Sequence, residues 1–78
     1  MSAILDTIKA EMAVRKITQR ELAKAVGVTA ATLNFKLNGR SEFSVSELIS
    51  VSEALGTDYY SLIELAAERE ARDKKGQK

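Results

Sequence analysis

With 78 residues, no Cys and no His, the chain has room for one domain; disulfides, zinc sites of the usual ligand types and histidine acid–base chemistry are excluded. The formal net charge of +1 is too small to name a polyanionic partner by itself. No apolar run approaches the roughly 20 residues of a membrane span, and the start carries charges at Asp6, Lys9 and Glu11, so a soluble cytoplasmic protein without a signal peptide is expected.

Pro is absent, and two Tyr and two Phe are the only aromatics, so the composition favours an all-α fold. The first predicted helix runs roughly from Ser2 to Arg15, with Ile4, Leu5, Ile8 and Met12 on one face. Thr18-Gln-Arg-Glu21 then has the spacing of a capping box, in which the hydroxyl accepts from the backbone N–H three residues on and the carboxylate reaches back. It opens a second helix over about 18–26 with Leu22, Ala23 and Val26 inward. Gly27 takes the left-handed conformation that ends it, and Val28 is an apolar turn residue. Thr29 begins a third helix over about 29–38, with Leu33 and Leu37 inward and Gly39 closing it.

The connection over 40–44 holds Phe43, expected to be buried. Ser44-Val-Ser-Glu47 is a second capping box, starting a fourth helix over about 45–55 whose inner face is Leu48, Val51, Ser52 and Leu55, with Gly56 as its stop. Asp58 caps a fifth helix with Tyr59, Leu62, Ile63 and Ala66 on the core side. Beyond Ala67 there is no apolar face. The Glu68–Arg72 and Glu70–Lys74 spacings extend the helix weakly, by a few tenths of a kcal/mol each, and the last residues are expected to fray.

Charge is unevenly spread along this order. Residues 1–40 hold seven basic residues against three acidic ones, residues 41–68 hold six acidic and no basic ones, and the last ten hold five basic and two acidic. Such a molecule can present a positive surface while staying near neutral, although charges on solvated helix faces account for the same pattern. The segment 18–39 is more specific. Ala23 is small enough for close approach, Gly27 permits a sharp turn, and Val28 with Leu33 fills the space between two short helices. The second of these then protrudes, and a helix about 10–12 Å across fits the major groove of B-DNA.

The residues Gln19-x-x-Leu-Ala-x-x-Val-Gly-Val, then Leu33-x-x-x-Leu-Asn-Gly and later Ala54-Leu-Gly, resemble the helix-turn-helix of the phage repressor and Cro (xenobiotic-response-element) family over roughly residues 4–66. The resemblance implies a compact five-helix lambda-repressor-like domain. Its second helix would cross the DNA backbone and its third lie in the major groove, commonly as a dimer on two half-sites. The expected organisation is a DNA-binding domain over 1–67 and a charged helical extension or frayed tail over 68–78. Within it, the resemblance places Gln19 where the family grips a phosphate and buttresses the recognition helix, against the alternative of an exposed N-terminal Gln. Asn38 sits where the family contacts phosphate, or serves only as a C-terminal cap. Thr29 and Thr32 offer hydroxyls at the entrance of the third helix, and Arg40, with Lys24 and Lys36 more loosely, adds phosphate contacts.

The base-reading positions depart from the family pattern. Where many members carry Gln, Ser or Arg, this chain has Ala30, Ala31 and Phe35. The alanines can touch thymine methyls and let the helix sit deep. Phe35 packs on thymine methyls, folds back onto the domain, or meets another chain. Asn34 is the nearby residue able to pair with adenine in a bidentate way. Discrimination is then expected to rest on methyl contacts and DNA shape. Lys36 also replaces an apolar core residue of the family, and its stem is expected to lie along the surface with the ammonium outward.

The function expected is that of a small bacterial or phage repressor or Cro-like regulator of transcription, with double-stranded DNA as its partner. A homodimer is expected at least on DNA, with Tyr60 and Leu65 as candidate dimer contacts. No cofactor, metal, membrane or small-molecule ligand is expected. Nor is an enzyme, since a five-helix domain of this size lacks room for a typical cleft. The competing reading is a protein-interaction module that uses the apolar positions of the third helix.

Overall fold

A computed structural model describes the backbone of residues 3–76 and the side chains of residues 3–73. Five helices follow in order: α1 (Ala3–Arg15), α2 (Gln19–Val26), α3 (Ala30–Leu37), α4 (Val45–Ala54) and α5 (Tyr59–Gly76). Ser2, the expected first residue of α1, lies outside the described residues, as do residues 77–78 of the expected fraying end.

The starts of the short helices are set by side chains that satisfy otherwise orphaned backbone donors. Thr18 Oγ1 accepts the Glu21 N–H at 3.1 Å while Glu21 Oε1 accepts the Thr18 N–H at 2.9 Å, and Ser44 and Glu47 repeat the arrangement at 3.1 and 2.8 Å. Both predicted capping boxes are therefore formed. Asp58 Oδ1 accepts the Ser61 N–H at 2.9 Å and caps α5. The ends need a residue of positive φ. Gly27, at φ +89°, closes α2 and sends its N–H to Ala23 O at 2.8 Å, with Val28 N–H on the same carbonyl at 3.0 Å. At the end of α1 the left-handed position is filled by Lys16, φ +58°, with Lys16 N–H on Ala13 O at 3.2 Å and Ile17 N–H on Met12 O at 2.9 Å. This is a Schellman motif without its glycine.

All five helices contribute to one core of Ile8, Met12, Leu22, Ala23, Leu33, Leu37, Val51, Leu55 and Leu62. α1 packs along α5, and α2 meets both α3 and α4. Ser52 is buried as expected, its hydroxyl donating to Ile49 O at 2.7 Å, and Thr7 is buried with its hydroxyl on Ala3 O at 2.7 Å. Several core expectations change. Ile4, Val26, Phe43 and Leu48 are half-buried against the core rather than buried in it, and Tyr59 is half-buried. Ile63 is 39% exposed, because the inward stripe of α5 runs through Leu62 and Ala66 and leaves position 63 about 100° around the helix. α5 runs unbroken past position 67, and its Arg69 and Arg72 share a groove with Thr7 and Glu11 of α1.

Two consequences can be measured. A side chain at left-handed φ costs about 1 kcal/mol relative to glycine, so K16G should raise Tm by roughly 4–8 °C in thermal unfolding. Glu21 is held below its ordinary pKa of 4.5 by the Thr18 backbone N–H first and the Thr18 hydroxyl second. Glu47 is lowered by the Ser44 backbone N–H first, against the opposing effect of burial, and then by Lys36. A depressed folded pKa contributes stability above the unfolded value, which is lost as pH falls through the folded one. On acidification from about pH 6 to about pH 3, the parent should therefore lose more Tm than the E21Q/E47Q variant.

Candidate nucleic-acid interface

α3 is just over two turns long and turns one stripe inward, Leu33 and Leu37. Ala30, Ala31, Thr32, Asn34 and Phe35 are all exposed. Packing thus consumes chiefly the i, i+4 pair, with Lys36 half-buried beside it, and leaves those five positions facing out. The helix carries no acidic residue, and Arg20 and Lys24 on α2 and Arg40 beyond α3 are exposed cations around it.

Thr29, the N-cap of α3, accepts the Thr32 N–H at 3.1 Å and donates its hydroxyl to Thr32 Oγ1 at 2.9 Å. Its single donor is used within the helix, whereas the Thr32 hydroxyl keeps its proton for an outside acceptor.

Three amides link the start of α2 to the end of α3. Asn34 Nδ2 donates to Gln19 Oε1 at 3.3 Å, and Asn38 Nδ2 donates to Asn34 O at 2.9 Å and Asn34 Oδ1 at 3.1 Å. Gln19 therefore contacts α3 directly. Asn38 occupies the C-cap of α3 with its side chain turned back over the last turn. Gln19 takes one Nδ2 hydrogen of Asn34 and Asn38 one lone pair of its Oδ1, which leaves a second donor and a second lone pair on the amide. Asn34 is in this state a bridge.

Phe35 is 52% exposed and is not folded back onto the domain. The Arg40 guanidinium lies 5.8 Å from its ring centroid, within cation–π range, and the Arg40 N–H donates to Phe35 O at 2.9 Å. The sequence treats these two residues as separate contacts; the turn at Gly39 brings them together. A spacing of five residues across a helix end gives no periodic signal for such a pair.

Lys36 departs from expectation. Its ammonium is not outward: Nζ donates to Glu42 O at 2.9 Å, lies 3.2 Å from Glu47 Oε1 and stands 5.9 Å from the Phe43 ring centroid. The side chain occupies the space between α3 and the start of α4, directed away from solvent. The sequence marks its partner Glu47 only as a capping residue.

The candidate dimer residues also separate. Tyr60, 82% exposed, sits edge-on to Tyr59 and lines a shallow groove with Ile63 and Ala67. Leu65 lines a different groove, against Thr7 and Glu11 of α1. Five residues of helix turn them about 140° apart, so they do not form one patch.

Residues 8–62, more than two-thirds of the chain, match the family model described as helix-turn-helix. The crystal structure of the clp gene regulator ClgR from Corynebacterium glutamicum resembles this fold with a TM-score of 0.88 and 30% sequence identity, over 97% of this chain and 81% of that one. No curated protein sequence matches the chain. The capped α2, the glycine turn and a third helix held by two leucines are the helix-turn-helix in physical form, and the chain belongs to the Cro/C1-type helix-turn-helix family of DNA-binding domains.

Proposed function

We propose that this domain is a sequence-specific regulator of transcription that binds duplex DNA with α3 in the major groove, as a small bacterial or phage repressor or Cro-like protein of the cytoplasm. The observation that supports this reading best is the division of α3. Two leucines hold it, while Ala30, Ala31, Thr32 and Phe35 face outward between Gln19 at one end and Asn38 and Arg40 at the other. Gln19, Asn38, Arg40 and Thr32 serve as backbone contacts, with Thr29 behind Thr32 as its cap. Ala30, Ala31 and Phe35 meet thymine methyls, and Asn34 lies beside them as the polar member of the reading face.

A single module of this kind buries only about 600–1,000 Å² on DNA, little for nanomolar affinity, so the domain acts as a homodimer on two half-sites. Tyr60, with Ile63 and Ala67, is the stronger dimer surface; Leu65 lies outside it. A second reading, a protein-interaction module, draws on one observation: a large aromatic next to two alanines on an exposed helix.

Selection of random duplexes by the purified protein, titrated at low and physiological salt, separates the two. A palindromic motif with half-sites about one turn apart is expected; no binding even at low salt would move the assignment to the protein-interaction module. On the selected duplex, Q19A and N38A should weaken binding across sequences alike. R40A should also lower the salt slope by about 0.9. A31S or F35A should instead re-rank the sequences. Unchanged binding in all of these variants would remove α3 as the reading helix.

A further inference from the structure

The connection from α3 to α4 carries Asn38 and Arg40 but has little of its own to hold it. Gly39 N–H donates to Lys36 O at 3.2 Å and Arg40 N–H to Phe35 O at 2.9 Å; among the described residues no backbone–backbone hydrogen bond then engages residues 41–43. Lys36 crosses this gap. Its ammonium reaches the Glu42 carbonyl inside the connection, the Glu47 carboxylate at the start of α4 and the face of Phe43 between them. The three N–H donors of an ammonium suit three such neighbours. Only 11% of the Lys36 side chain and 23% of the Glu47 side chain are exposed, so the pair is shielded more than an ordinary surface pair. Glu47 Oε1 is meanwhile fixed by the Ser44 N–H at 2.8 Å, which gives the ammonium an anchored partner.

We propose that Lys36 is a positioning residue that straps the recognition helix to α4 through Glu42 and Glu47, and so sets Asn38 and Arg40 for the DNA backbone without touching DNA itself. The effect on DNA rests on the function proposed above; the strap itself does not. An apolar residue at this position would fill the core margin but could not hold the Glu42 carbonyl, so the lysine exchanges packing for a directional tie across the loop.

The test uses K36M, which keeps an unbranched apolar stem, and E47Q, whose amide oxygen can still accept the Ser44 N–H and preserve the cap. Amide exchange is followed by NMR at Gly39 and Arg40, with Leu22 and Leu55 as controls. Each variant should speed exchange at Gly39 and Arg40 by about fivefold and leave the controls unchanged; the double variant should add little to either single one. On the selected duplex each variant should weaken binding by about fivefold with the salt slope of the parent. Unchanged exchange at Gly39 and Arg40 overturns the strap. A slope lowered by about 0.9 in K36M, together with tighter binding by E47Q, overturns it in favour of a direct phosphate contact. If the parent selects no duplex, the proposed function fails, and the exchange measurement alone decides the strap.

Discussion

The burial of Leu33 and Leu37 in the core they share with Leu22, Ala23 and Val51 is the interaction on which the rest of the molecule depends. An isolated eight-residue helix is marginal in water, because the cost of nucleating it is spread over too few hydrogen bonds. α3 exists as a helix because two leucines one turn apart are removed from water and because Thr29 closes its first turn. Both devices occupy positions that leave the outward face free. A helix that needed a wider apolar stripe would have had no face left to offer.

The same economy governs the polar groups near α3. Gln19, Asn34 and Asn38 bond to one another along its exposed side, whereas Lys36 and Glu47 bond on its inner edge. The outer network is exposed and made of neutral amides, each worth little in stability. It sets where side chains lie more than whether the domain folds. The inner pair is shielded and charge-assisted, and it joins two elements that backbone hydrogen bonding leaves apart. Arg40 over Phe35 belongs to the outer set, with a cation held next to the apolar side chain of α3.

Much of the fold was legible because its signals are local. The capping boxes at Thr18 and Ser44, the Asp58 cap, the stop at Gly27 and the leucine spacing are each decided within five residues of sequence, and each appears where the sequence predicts it. The sequence placed the end of α1 at Arg15, but local rules did not reveal how it ends, with Lys16 in a conformation that glycine prefers. Packing of α1 along α5 and the bonds from Lys16 and Ile17 back to Ala13 and Met12 hold that turn, and neither is visible in residue type. Ile63 and Phe43 illustrate the same limit. Their hydrophobicity is plain, but whether they reach the core depends on the rotation of α5 and the path of the 38–44 connection.

The sequence by itself determined five helices, their caps, the inward stripe of each short helix and the helix-turn-helix pattern, because period and capping chemistry act between residues close in the chain. Beyond the caps, tertiary structure alone decided the partners of the polar side chains and the sides to which exposed ones turn. Gln19 meets Asn34 fifteen residues away, Lys36 meets Glu47 across a loop, and Tyr60 and Leu65 turn to different sides of α5. Such pairings depend on the relative placement of whole helices, and a one-dimensional pattern carries no coordinate for it. The outward residues of α3 could therefore be named from the sequence, while the way each is held came only with the packed domain.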